Sequence, residues 1–280
     1  MKEIPEKYRT PAERPGTLLR FEYDTPAERK PANVYLPHGY SPENRYDIIY
    51  MMHGGYDSLD TFFGSPDKPN DMKNVVDHLV GNGEIRPVIL VAPTFYPNKG
   101  LPENDDGWDA VRAFPDELVK YLMPAVEAKY STYAKTADEA GFSVSRAHRA
   151  FGGFSMGGLT TWYVMEYCLR FFEKLIPLSG DCWTAVKFGG SAKPVETAAM
   201  LSDAIKAQGF SAKDYTVYVV TGSEDIAEKN LTPMIECMRK HPDCFGDNLT
   251  YLIKDGATHY MGFVEHYLYN ALLTLFPAEK

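Results

Sequence analysis

Gly152-Gly153-Phe154-Ser155-Met156-Gly157-Gly158-Leu159 is the stretch that decides the fold. Residues 153–157 have the form G-x-S-x-G, the sharp turn from a strand into a helix that presents a serine at its tip. A side chain at 153 or 157 would collide with neighbouring backbone, so glycine is required on both sides of Ser155. The apolar run Leu159–Leu169 predicts a buried helix whose first amides face any negative charge developing beside Ser155. On that geometry the Met156 N–H is a candidate oxyanion donor.

The rest of the chain supplies the scaffold such a turn needs. Asp47–Met52 and Val88–Ala92 are short continuous apolar runs, as expected of strands buried on both faces. Between them Met72, Val75, Val76, Leu79 and Val80 fall on one helical face. A further helix is expected over Phe114–Tyr130 with a kink at Pro124. Strands are expected at Leu175–Leu178, Thr216–Thr221 and Leu249–Ile253. Helices are expected around Leu231–Met238 and Val264–Leu275. Thr17–Tyr23 and Ala32–Leu36 read as an antiparallel lead-in within residues 1–40. The alternation predicts an α/β fold, a mostly parallel central sheet with helices on both faces, in one domain spanning 1–280.

Composition excludes several classes. Of 280 residues, 44% are apolar, enough for a sizeable core. The net charge of −9 and the lack of a Lys/Arg stripe argue against a nucleic-acid partner. No apolar stretch reaches the roughly 20 residues of a membrane helix, and Met1–Pro5 lacks the apolar core of a signal peptide. The cysteines at 168, 182, 237 and 244 have no metal-ligand spacing, so neither a metal site nor a cofactor is expected. Cys168 reads as a buried thiol, and Cys237 with Cys244 as a candidate disulfide.

A serine hydroxyl needs an imidazole base, and the imidazole a carboxylate. In an open α/β sheet these groups gather beyond the carboxyl ends of the strands. Asp225, in Thr221-Gly222-Ser223-Glu224-Asp225, and His259, in Gly256-Ala257-Thr258-His259, each come after a strand-like run. The order Ser155, Asp225, His259 is that of the α/β-hydrolase fold. Glu224 and Asp181 compete with Asp225; His259 leads the seven histidines because its loop joins the last strand to the last helix. After the strand ending at Met52, His53-Gly54-Gly55-Tyr56 fits an oxyanion loop, with Gly55 or Tyr56 N–H as the second donor.

With these runs the chain resembles the family 1 carbohydrate esterases, and among them the ferulic acid esterase domains often attached to bacterial xylanases. The likeness is carried by residues 52–55 (MHGG), 91–95 (VAPTF), 129–133 (KYSTY), 152–164 (GGFSMGGLTTWYV), 177–181 (PLSGD), 221–227 (TGSEDIA) and 256–259 (GATH). Tyr56-Asp57-Ser58 departs from the further glycine that similar proteins commonly carry after the His-Gly-Gly. The resemblance implies a Ser155, Asp225, His259 triad and hydrolysis of esters joining ferulate or related hydroxycinnamates to arabinoxylan. It also implies a xylanase or binding module in a longer parent chain, and an extracellular or periplasmic place with the leader absent from this chain.

An aromatic acyl group needs flat apolar walls with a polar end, for which Tyr56, Trp108, Trp183 and Tyr260, read as loop residues near strand ends, are the candidates. Rival readings keep the triad but change the acyl group (acetylxylan esterase, small thioesterase) or the acceptor (acyltransferase). A non-catalytic carbohydrate-binding module on a hydrolase-like fold is the rival from another class.

Overall fold

All six residues of Asp47–Met52 are buried, because strand alternation sends them to two different cores. Ile48, Tyr50 and Met52 join one apolar cluster, while Ile49 and Met51 join another across the sheet. Each fully buried aliphatic side chain contributes on the order of 1.5–3 kcal/mol, so both faces of this strand hold the layers together. The computed structural model describes residues 1–101 and 103–278.

The sheet has eight strands: β1 (Thr17–Asp24), β2 (Arg29–Leu36), β3 (Asp47–Met52), β4 (Val88–Ala92), β5 (Arg149–Phe154), β6 (Lys174–Leu178), β7 (Thr216–Gly222) and β8 (Leu249–Lys254). Their spatial order is β1-β2-β4-β3-β5-β6-β7-β8. β2 pairs antiparallel with β1 and β4, and all pairings from β4 to β8 are parallel. Helices on both faces cover the sheet, as the expected α/β-hydrolase architecture requires. At the entry to β5 Arg149 is fully buried, but its guanidinium meets Glu127 at 2.7 Å, and Glu127 also accepts from Thr132 and Tyr50. The strand that carries Ser155 is therefore anchored at its far end by a saturated polar network.

Three local expectations change. The helix expected from Phe114 begins at Trp108, which moves Trp108 from a loop to a first helical turn. It widens into a π turn over Leu118–Leu122 before resuming at Met123–Lys129. Pro124 has no N–H to give and its ring would strike the preceding turn, and the wider turn absorbs both defects. A helix at Pro194–Ala207 has no counterpart in the sequence reading, although Ala198, Leu201 and Ile205 mark its buried face and Pro194 its first turn. All four cysteines are free and buried: Cys244 turns its thiol to Ser202, so the Cys237–Cys244 disulfide is not formed. Among the described residues no helix is long and apolar enough to cross a membrane.

Candidate active site

Ser155 comes directly after β5 at φ 54°, ψ −113°, a conformation rarely adopted by a residue with a side chain. The turn is forced by packing. A Cβ on Gly157 would lie 2.0 Å from the Met52 carbonyl oxygen, and one on Gly153 2.4 Å from that same oxygen. The elbow can thus sit against the end of β3 only because both positions lack side chains. The Ser155 N–H donates to the Leu178 carbonyl at 2.9 Å, tying the turn to β6 as well. Behind it Met156–Cys168 is buried almost all round, as the apolar run predicts.

Asp225 and His259 arrive from the carboxyl ends of β7 and β8. Their loops are stitched together by Ser223 N–H to Lys254 O at 2.9 Å and Glu224 N–H to Ala257 O at 3.0 Å. Asp225 Oδ1 lies 2.7 Å from His259 Nδ1 and also accepts the Ala227 N–H at 2.8 Å. A carboxylate can only accept, so Nδ1 carries the proton and Nε2 is left to accept from Ser155 Oγ, 2.9 Å away. The structure thus joins these three residues in one chain of hydrogen bonds across three loops. Glu224 is exposed and outside it. Asp181 is buried on the cavity lining, but its carboxylate is engaged elsewhere, accepting Trp183 Nε1–H at 3.0 Å and Gly190 N–H at 3.0 Å. Burial raises the Asp181 carboxyl, against the pull of those two donors.

The loop after β3 separates the two candidates for the second donor. Tyr56 N–H is spent on Tyr96 Oη at 2.8 Å, which removes it from that role. His53 is buried and fixes the remaining candidate. Its Nδ1–H donates to the Gly54 carbonyl at 2.7 Å, and its Nε2 accepts from Thr94 Oγ1 at 2.8 Å. In a trans peptide the carbonyl and the next N–H point opposite ways, so the Gly55 N–H faces away from His53. No partner is found for the Gly55 or Met156 N–H among the described residues.

Burial drops the His53 pKa to about 4, so the ring is neutral in the folded protein. The unfolded chain, with histidine near 6.5, binds the extra proton first. Stability contributed by His53 is therefore complete above about 6.5 and is lost as pH falls through 4, a span worth on the order of 3 kcal/mol. We expect thermal melts between pH 6.5 and 4 to fall more steeply for the wild type than for His53→Gln; parallel slopes would show that His53 does not titrate in this window.

Ser155, Met156 and His259 open onto a cavity of about 740 Å³, within the range of small-molecule sites. Of the four aromatic candidates only Trp183 lines it. Trp108 stands behind Trp183, edge-on at 6.2 Å, with its Nε1–H on Tyr163 Oη at 2.7 Å. Tyr56 projects fully into solvent, and Tyr260 is 66% exposed and folds over Gly262. Phe188, 4.6 Å from the Trp183 ring and tilted against it, extends that wall; Ile226 also lines the cavity, with Lys229 and Asn230 as polar groups. No sequence signal marks Phe188, since it owes its position to a left-handed backbone at φ 55° that leaves no periodicity.

A serine on a strained elbow at the centre of this sheet, hydrogen-bonded to a histidine that is hydrogen-bonded to a carboxylate, defines a serine hydrolase of the α/β-hydrolase fold. The signature of the putative esterase family matches residues 25–241, ending before His259, and the chain belongs to that family. It is 40% identical over 274 residues to endo-1,4-beta-xylanase Y of Acetivibrio thermocellus, across 96% of this chain and 24% of that protein. The chain thus spans about a quarter of that relative's length. The feruloyl esterase module from Clostridium thermocellum, solved as a serine-to-alanine mutant complexed with sinapinate, is 40% identical with a TM-score of 0.85, over 97% of this chain and 92% of that one. A ferulic acid esterase from Anaeromyces mucronatus shares the fold at 19% identity, TM-score 0.73, over 96% and 95% of the two chains.

Proposed function

We propose that this chain is a feruloyl esterase, releasing ferulate or a related hydroxycinnamate from arabinoxylan side chains through an acyl-enzyme. The observation that carries it is the unbroken Asp225–His259–Ser155 chain opening into a cavity walled by Trp183 and Phe188. His259 takes the Ser155 proton as Oγ attacks the ester carbonyl, and the Met156 and Gly55 amides hold the oxyanion. His259 then returns the proton to the departing sugar oxygen, and water deacylates the serine by the same route. The aromatic acid packs against the surface formed by the Trp183 and Phe188 rings, its phenolic end toward the polar groups. The sinapinate complex of the related module supports an acyl group of this kind. A xylanase partner within a longer chain, and action outside the cell, accord with such a substrate and with the xylanase relative.

Hydrolysis of methyl ferulate beside 4-nitrophenyl acetate tests this. The wild type is expected to cleave methyl ferulate, and Trp183→Ala to lose about ten- to hundredfold in kcat/KM on it, the value of one buried aromatic wall, with a much smaller loss on acetate. Activity on acetate alone would move the protein to the small-acyl esterases. Silence on both would favour the binding-module reading.

A further inference from the structure

The turn that supplies the Gly55 amide also carries a carboxylate that the acyl-transfer mechanism does not use. Asp57 N–H bends back to the Gly54 carbonyl at 3.4 Å, and the turn is braced by Tyr96 on Tyr56. A Cβ built on Gly54 would lie 2.8 Å from Asp57 Oδ2 and 3.3 Å from Ser155 Cβ, so the carboxylate and the nucleophile flank the same glycine. Burial raises the Asp57 carboxyl, while the Gly54 backbone N–H and the charge of His259 oppose that rise. Among the described residues those two are the groups that act to keep it ionised; no lysine or arginine does. A half-buried carboxylate beside a serine nucleophile keeps acceptor capacity for a ligand hydroxyl.

Its position indicates which half of the ester would supply them. Asp57 is absent from the lining of the acyl cavity, which runs from Ser155 toward Trp183 and Asn230. It lies instead on the Gly54 side, within the electrostatic reach of His259. The leaving oxygen must meet His259 Nε2 to receive its proton, so a carboxylate that interacts with His259 and stands apart from the aromatic wall faces the alcohol half rather than the acyl half.

We propose that Asp57 reads the alcohol half of the substrate, its carboxylate accepting a hydrogen bond from a free hydroxyl of the leaving sugar. This rests on the feruloyl-ester reading and adds to it a preference for polyhydroxylated leaving groups. A simple alkyl alcohol has no second hydroxyl to offer, and a site built around a hydroxyl discriminates against an ester that lacks it.

The test compares kcat/KM on feruloyl-arabinose and on methyl ferulate for the wild type, Asp57→Asn and Asp57→Ala. A fluorophosphonate counts competent serines in each preparation, so any folding loss divides out. The ratio of the two constants is expected to fall about tenfold in Asp57→Ala, in line with loss of one charge-assisted hydrogen bond. A smaller fall, mainly through KM, is expected in Asp57→Asn, which keeps an amide oxygen as acceptor. An unchanged ratio in both variants, with the wild type active on both esters, would overturn the role of Asp57 and leave the esterase intact. Inactivity of the wild type on both would overturn the feruloyl reading and this inference with it.

Discussion

Replacing Ser155 by alanine is expected to lower turnover of methyl ferulate by roughly 10⁴- to 10⁶-fold, the scale on which losing the nucleophile abolishes the acyl-enzyme route. The fold should survive. Ser155 Oγ makes its hydrogen bond to His259, at 2.9 Å, while the elbow is held by the Leu178 carbonyl and by the glycines against Met52, none of which the change touches. Alanine tolerates φ 54° no worse than serine does. The check is residual hydrolysis together with the melting temperature. Turnover within tenfold of wild type, at an unchanged melt, would remove Ser155 from the chemistry.

The second large effect is expected at Asp225. Asp225→Asn is nearly isosteric, yet an amide NH₂ facing His259 Nδ1 donates where the carboxylate accepted. The ring would then carry its proton on Nε2, the atom that must accept from Ser155. It would also lose the negative charge that stabilises the imidazolium as it forms. A fall of roughly 10³- to 10⁴-fold in kcat is expected, with little added loss when combined with Ser155→Ala, because the three residues act as a unit. Asp181→Asn is the control. Its carboxylate braces Trp183 and Gly190, so its loss should loosen the acyl wall and raise KM rather than stop turnover. If Asp181→Asn abolished turnover while Asp225→Asn retained it, the carboxylate assignment would be reversed.

In the sequence, only the downstream residues separate Asp225 from Asp181. Asp225 leads into the helix that begins at Glu228, and the backbone N–H of Ala227 rests on its Oδ1. Asp181 leaves β6 in a similar way but turns toward its own loop. Strand ends bring both near the site, and rotamers and loop closure choose between them. The oxyanion loop gives the same lesson in reverse. Gly55 and Tyr56 are equivalent as backbone donors until the phenol of Tyr96, forty residues further along the chain than Tyr56, takes one of them.

What the sequence by itself determined was the architecture and the candidate triad. Buried strands write themselves as continuous apolar runs, helices as 3.6-residue stripes, and the elbow as glycines that no other residue can replace; each is a local consequence of backbone geometry. The order of strand-end residues then comes from connectivity rules that hold for any parallel sheet. What only the tertiary structure decided was the inside of the cavity. Trp183 reaches it while Trp108, Tyr56 and Tyr260 do not, and Phe188 and Asp57 border the site unannounced. Those positions depend on loop dihedrals and on contacts between loops or within them, such as Tyr96 on Tyr56 and Asp181 on Trp183. Such pairings leave no period in a sequence, because they are set by the packing of loops that meet only once the sheet has formed.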